Sequence, residues 1–479
     1  MLPLYTRIFK NATFLAIAEA INRASSFVVG IWLARYLGAD DFGRWTFVLS
    51  TLALFYIIAD LGLSTLATRD IAQQREKSSH YLGNLLVIKL VLSLVAFLLV
   101  ILTIPWLRDD ARILTITYPL GLATLINALT QTLYVTFRAH EKMYWEAISK
   151  SISGITTIAV VGALIVARLG ISPLGWGYAL ASLLVLGVTT VITWRFITTF
   201  TLRFDRDFVK YLAIETWPFA LGTAFASVYR YIDSIMLGRL RELAEVGQYN
   251  AAYRIVDAMI LGSTLAGVAI YPLLSRLAHH HQIDKLRHIS ARLTSLFATV
   301  TVPVVVLVIL WSTTIMRWIY GNQYTAGTAS LAILAGTALI SYLNVVPVKL
   351  LQSTRHQRIP MYAAGLGTVV NITLNILLIP AYGMWGAAIS TLCAYLAVFA
   401  ILEILFFRVI NRGRLGVIWR PLLAGLAMAT AIYWMVLRGQ NGLLASGLGL
   451  MVYILIGWPD IQALWQSVRR ISASPENED

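Results

Sequence analysis

Several ionisable residues of this chain lie inside apolar stretches and could do chemistry there, among them Glu19, Arg23, Asp60, Lys89, Arg230, Asp233, Arg254 and Asp257. Glu19 and Arg23 are four apart, while Arg230 and Asp233, like Arg254 and Asp257, are three apart. Either spacing puts both side chains on one helix face within reach of each other. Asp60 and Lys89 have no partner close by in sequence. A charged side chain at mid-helix in a bilayer costs roughly 2.5 to 3.5 kcal/mol on insertion scales, so it faces a partner or a water-filled cavity. Two chemistries follow. A guanidinium, planar and permanently charged, suits an anion such as phosphate. A carboxylate in surroundings of low polarity can be pushed towards neutrality and carry a proton. The competing explanation is that the pairs are structural and lock helices together.

The elements holding these residues read as membrane spans. Hydrophobic residues make up 58% of the 479 and charged residues only 13%, against roughly 25% charged in a soluble domain. Apolar runs recur from Thr13 to Trp458 with lengths of about 20 residues, which at about 1.5 Å per residue match a hydrocarbon core about 30 Å thick. The expected fold class is all-α, a polytopic membrane protein of about 14 transmembrane helices. The first six are expected at about 13 to 35, 42 to 66, 81 to 104, 113 to 137, 147 to 167 and 173 to 194. The next six fall at about 211 to 237, 246 to 270, 293 to 314, 325 to 348, 360 to 379 and 384 to 407, and a last pair at about 421 to 437 and 442 to 458.

Basic residues are retained on the cytoplasmic face of a membrane. With the N-terminus inside, the inner segments hold 25 of the 38 Lys and Arg residues, Arg138 and Lys150 among them, and the outer segments nine. The other four are Arg23, Lys89, Arg230 and Arg254, within spans. Both termini are then cytoplasmic. The net charge of +15 serves topology and attraction to an anionic inner leaflet, so membrane lipids are expected partners and nucleic acid is not. Arg7 and Lys10 precede an apolar run that Glu19, Asn22 and Arg23 interrupt, which reads as an uncleaved first helix.

Several motifs carry little. Cys393 is the single cysteine and cannot form an intrachain disulfide. His279-His280-His281 with His288 lies in a basic inner loop, where solvation is explanation enough, so no metal is expected. Gly365-Leu366-Gly367 lacks the third glycine of a nucleotide fingerprint, and neither a Walker sequence nor a cofactor motif is present. Asn127 with Gln131 and Asn371 with Asn375 share helix faces, as interhelical hydrogen-bonding residues do. Trp32, Trp106, Trp194 and Trp217 sit near span ends, as in interfacial belts. The tail Pro475-Glu476-Asn477-Glu478-Asp479 reads as disordered.

A shift of 204 residues lays Phe42-Gly43-Arg44-Trp45 over Val246-Gly247-Gln248-Tyr249, and a similar shift lays Leu174-Gly175 over Trp385-Gly386. The shifts divide the chain into two six-helix lobes, 1–205 and 206–410, with two additional helices and the acidic tail in 411–479. Lobes of this kind share one orientation and enclose a central cavity that rocking exposes alternately.

Here the residues resemble a family. Leu37-Gly38-Ala39-Asp40-Asp41-Phe42-Gly43, Asp60-Leu61-Gly62-Leu63 and Arg69-Asp70-Ile71-Ala72 look like the opening of the polysaccharide-exporting flippases. These belong to the multidrug, oligosaccharidyl-lipid and polysaccharide exporter superfamily, which includes O-antigen flippases. Further matches are Tyr231-Ile232-Asp233, Gly247-Gln248-Tyr249-Asn250-Ala251-Ala252-Tyr253-Arg254, Asn375-Ile376-Leu377-Leu378-Ile379-Pro380 and Tyr382-Gly383-Met384-Trp385-Gly386. The resemblance implies a polyprenyl-diphosphate-linked oligosaccharide as cargo, turned from inner to outer leaflet. Arg23, Arg230 and Arg254 are then expected as headgroup ligands, with Lys89 a further candidate. Glu19, Asp60, Asp233 and Asp257 would orient the arginines or bind a coupling ion, proton or sodium. Proteins of polysaccharide assembly are possible partners.

The nearest alternative is another branch of that superfamily, a flippase for a lipid II-type precursor or an ion-coupled drug exporter. Three internal arginines argue against a cavity suited to cationic drugs. An alternative of another class is a membrane glycan polymerase or ligase. Such an enzyme places a long loop with acid, base or metal ligands over the bilayer, whereas the outer loops here are short.

Overall fold

The computed structural model describes residues 4–280, 282–354, 356, 358–410 and 415–473. His281, Arg355, Arg412, Arg414 and the acidic tail lie outside the described residues, as do the side chains of Arg7, Lys10, Trp217, Arg469 and Arg470. All regular elements among the described residues are helical, as hydrocarbon demands, since each segment must there satisfy its own backbone N–H and C=O groups.

The helices are α1 (Leu4–Asp60), α2 (Leu63–Gln73), α3 (Ser78–Leu107), α4 (Ala111–Ala139), α5 (Met143–Val166), α6 (Ile171–Phe196) and α7 (Arg206–Leu240). They continue as α8 (Leu243–His279), α9 (Ile283–Leu310), α10 (Ser312–Tyr320), α11 (Thr328–Ser353), α12 (Arg358–Ile410), α13 (Trp419–Leu437) and α14 (Gly442–Ala473). Ten stretches among the described residues are long and apolar enough to cross a membrane, and two of them, Glu19–Gln73 and Arg358–Arg408, are 55 and 51 residues long. Each of these two has room for two passes. α1 contains the first two expected spans and breaks at Gly38, with φ 77° and ψ 173°. α12 contains the eleventh and twelfth and breaks at Gly383, with φ 56° and ψ −132°. Glycine takes such a φ without the steric cost a Cβ would bring.

Two ends differ from expectation. The second span was expected to run to about Leu66, but the helix stops at Asp60, and Leu61 (φ 43°) and Gly62 (φ 78°) turn the chain into α2. The apolar residues that extend the run are the buried face of a short amphipathic helix: Leu63, Leu66, Ala67 and Ile71 pack with Leu85, Val135 and Leu212. α9 likewise ends at Leu310, and the short α10 buries Met316 and Tyr320.

The chain forms two compact units, 1–251 and 252–479. In the first, α1 packs on α3, α4, α5 and α7, and α4 packs on α6. Arg108 ties the α3–α4 turn to the end of α7 by donating to the carbonyls of Gly238 (3.2 Å) and Arg241 (2.8 Å), a favourable place for a cation. In the second unit, α11 packs on α9 and α12, and α13 packs on α9 and α14.

Inside the first unit, the 204-residue shift is also a geometric relation. A Cβ on Gly43 would lie 1.8 Å from the carbonyl oxygen of Leu243, and one on Gly247 would lie 2.1 Å from that of Ala39. Leu243 follows Ala39 by the same shift as Gly247 follows Gly43, so the contact is reciprocal. Phe42, Trp45, Val246 and Tyr249, equivalent in pairs, are all buried.

Both glycines therefore meet backbone, which has no rotamer with which to yield. Gly43→Ala or Gly247→Ala should destabilise the protein by about 1–3 kcal/mol or more, as overpacking does. Gly187→Ala, which meets nothing within 4 Å, is the neutral control. Melting of the detergent-solubilised protein checks this; equal melting of all three variants with the wild type would remove the crossing as a constraint.

Candidate functional site

The expected site residues fall into separate groups. Glu19 and Arg23 pair on α1, with Arg23 Nε 2.9 Å from Glu19 Oε1. The pair is the open end of a longer chain of charges. Glu19 Oε2 also accepts from Lys150 Nζ on α5 at 2.9 Å, and Lys150 reaches Glu146 Oε1 at 3.1 Å. Arg138, in the last turn of α4, grips Glu146 through two nitrogens at 2.8 and 2.6 Å. Cation and carboxylate thus alternate through Arg138, Glu146, Lys150, Glu19 and Arg23. Three positive groups face two negative ones, leaving one positive charge in excess.

Exposure is least in the middle of this chain. Arg23 and Glu19 are 44% and 34% exposed, Lys150 is 11%, Glu146 is 0% and Arg138, at the other end, is 32%. What brings α5 so close to α1 is small residues: a Cβ on Gly154, one turn beyond Lys150, would sit 2.5 Å from Ser25 Oγ. Sequence reading missed Lys150, Glu146 and Arg138 as site residues, because basic residues near span ends are accounted for by topology. The four-residue spacing of Glu146 and Lys150 was the available signal.

Lys89 and Asp60, without neighbours in sequence, are each other's partner. Lys89, 1% exposed on α3, donates to the Asp60 carboxylate at the end of α1. It also donates to Ser64 Oγ at 2.7 Å, and Ser64 donates in turn to Asp60 at 2.6 Å. The triad joins α1, α2 and α3 where the second pass stops short.

Arg230 is exposed on α7, its Cζ 5.7 Å from the centre of the Tyr231 ring. Asp233, one turn on, is buried and accepts from Tyr249 Oη at 2.8 Å. Arg254 and Asp257 are both half-buried on α8, and Arg254 lies within electrostatic reach of Tyr320.

The uncharged candidates have mixed settings. Asn127 Nδ2 donates to Ser182 Oγ at 3.3 Å, joining α4 to α6, while Gln131 is exposed. Asn371 and Asn375 are buried, with Asn375 Nδ2 3.3 Å from Asn371 Oδ1. His279 and His280 are exposed and stack on each other. No group of three metal-ligating side chains converges among the described residues.

Two features at helix ends escaped sequence reading. Asp205-Arg206-Asp207 has Asp-x-Asp spacing, yet Asp205 serves as the N-cap of α7, accepting from the backbone N–H of Asp207 and Phe208. At the start of α4, Asp110 accepts from Arg44 Nε at 2.9 Å. Burial works against ionisation of Asp110, but the hydrogen bonds from Arg44 and from the backbone of Arg112 hold its carboxyl below the ordinary range.

A chain of paired helices broken at glycines, with charges held inside them, defines a polytopic transporter fold. The solved structure of the lipid II flippase MurJ in an inward closed conformation has this fold, with a TM-score of 0.76 at 16% identity over 94% of this chain and 99% of that one. Residues 8–278 match the family described as polysaccharide biosynthesis protein, and residues 218–377 match MatE. The chain belongs to the polysaccharide biosynthesis protein family. The probable low-salt glycan biosynthesis flippase Agl15 of Haloferax volcanii is 22% identical over 471 residues, 96% of each chain. The putative O-antigen transporter of Shigella dysenteriae is 24% identical over 400 residues, 80% of this chain and 96% of its own.

Cutting one side of the Lys89–Asp60 pair strands either the sealed Lys89 ammonium or the one-quarter exposed Asp60 carboxylate. Asp60→Asn alone should cost about 3–5 kcal/mol and Lys89→Met alone less, and the double variant should recover most of the loss. Thermal melting of the four proteins checks this, and single variants as stable as the wild type would show that the pair does not hold α1, α2 and α3 together.

Proposed function

We propose that this protein is a flippase that moves a polyprenyl-diphosphate-linked oligosaccharide, such as an O-antigen or exopolysaccharide unit, from the inner to the outer leaflet. The observation that carries the reading is the set of arginines within membrane-length helices, Arg23, Arg230 and Arg254, in a chain that matches a flippase along 96% of its length. A diphosphate entering hydrocarbon loses its hydration, and fixed guanidinium groups replace it. In this reading the three arginines are headgroup ligands, and Lys89, closed in by Asp60 and Ser64, supports α1, which carries Arg23. Glu19, Asp233 and Asp257 orient the arginines or take up the coupling ion, a proton or sodium.

The rest of the proposal follows from the repeat and the charge bias. Lobes 1–205 and 206–410 work by alternating access, with 411–479 appended. The protein lies in the cytoplasmic membrane with both termini inside, and it moves its cargo without making or breaking a bond. Lipid II is the rival cargo, and rescue of strains lacking each flippase separates the two. Formation of product from labelled lipid-linked sugar by the purified protein would instead make it a polymerase or ligase.

Deletion of the gene should leave completed units on the polyprenyl carrier at the inner leaflet. Arg23→Gln, Arg230→Gln and Arg254→Gln, each tested for complementation, should cut export by about tenfold or more, the scale of a lost charge-assisted hydrogen bond, with normal membrane levels. Full export by all three variants would take these arginines out of the site.

A further inference from the structure

The alternating charges of α1, α4 and α5 do not all have the same standing. Glu146 is fully buried and held by Arg138 through two nitrogens, so it is a fixed anchor. Glu19 is one-third exposed and sits at the end of a flexible side chain. Its two oxygens are taken by different cations, Arg23 at 2.9 Å and Lys150 at 2.9 Å. A guanidinium and an ammonium set around one two-oxygen anion form a frame that a phosphate also fits, with more charge to offer. Since the chain carries one positive charge in excess, an anion replacing Glu19 is drawn to it rather than merely tolerated.

Depth agrees with this. Arg23 lies fifteen residues from the break at Gly38, and Lys150 sixteen from the end of α5 at Val166. At about 1.5 Å per residue these are about 22 and 24 Å from the face poor in basic residues, in a core about 30 Å thick. Both cations therefore stand towards the other face, near the level of the headgroups from which an inner-leaflet lipid is loaded.

We infer that Lys150 and Arg23 together form the loading site for the cargo's diphosphate, that Glu19 is the counter-ion the diphosphate displaces, and that Glu146 and Arg138 position Lys150. This rests on the flippase reading, and it adds a cation and an exchangeable carboxylate to it. A purely structural network predicts that loss of any member weakens the fold and leaves anion affinity alone. An exchange site predicts opposite effects on affinity from removing Lys150 and removing Glu19.

The test is titration of inorganic diphosphate into the full-length protein in phosphatidylcholine nanodiscs, with melting recorded for each variant. Lys150→Met should weaken binding by about tenfold or more, Lys150→Arg should keep it within about threefold, and Glu19→Gln should tighten it severalfold, as expected when a competing charge is removed. If Lys150→Met does not fold, the contrast between Lys150→Arg and Glu19→Gln carries the test. Equal affinities in all variants, shifts of one sign in Lys150→Met and Glu19→Gln, or no binding by the wild type would overturn the site. Adding phosphatidylglycerol to the nanodiscs should change the affinity by less than about twofold; its abolition would assign the site to membrane phospholipid instead. Unchanged diphosphate affinity with export intact in Lys150→Met would sink this inference alone and leave the flippase reading standing.

Discussion

A charge inside a bilayer must be compensated, and that requirement shapes the first unit more than any other. Lys89 can be sealed from solvent only because Asp60 and Ser64 meet it, and this in turn decides where the second pass ends and how α2 is laid down. Glu146 can be fully buried only because Arg138 and Lys150 share it. Each of the two carboxylates serves two cations, but Glu146 does so fully buried and Glu19 does so one-third exposed. Buried ion pairs are weak evidence for stability as such. Their placement, reaching from a sealed interior to an accessible carboxylate, is what gives this network chemical interest.

Close approach of helices is the second requirement, and small residues meet it. Within membranes no hydrophobic force separates helix contacts from lipid contacts, so packing and hydrogen bonding decide which faces meet. Gly154 beside Ser25 brings α5 near enough for Lys150 to reach across to α1. Elsewhere on α1 an aromatic contact does the packing, with Trp45 and Tyr178 of α6 meeting edge to face at a ring-centre distance of 5.9 Å. Charge and packing therefore cooperate in α1, which carries both the crossing and the open end of the ion network.

Much of the fold was legible in the sequence because span length and charge bias are set by the bilayer rather than by particular contacts. What sequence reading missed was local geometry. Asp60-Leu61-Gly62 is a turn hidden in an apolar run, since the leucines after it are as hydrophobic as those before. The breaks at Gly38 and Gly383 were read as gaps between separate helices, and helical hydrogen bonding in fact continues close on either side. For the candidate site, pairs within one helix could be read from spacing. Pairs between helices could not, because Asp60 and Lys89, or Glu19 and Lys150, are brought together only by packing.

The reciprocal contact between Ala39–Gly43 and Leu243–Gly247 has one more consequence. It is isologous, one half meeting the other as in a two-fold dimer, so it has no direction along either helix. Sliding either segment by one residue would bring Phe42 or Arg44, or Val246 or Gln248, against a backbone carbonyl that now accepts only a hydrogen atom. Translation is thus blocked in both senses at once, while swivelling about the point where the two glycines touch disturbs the fewest atoms.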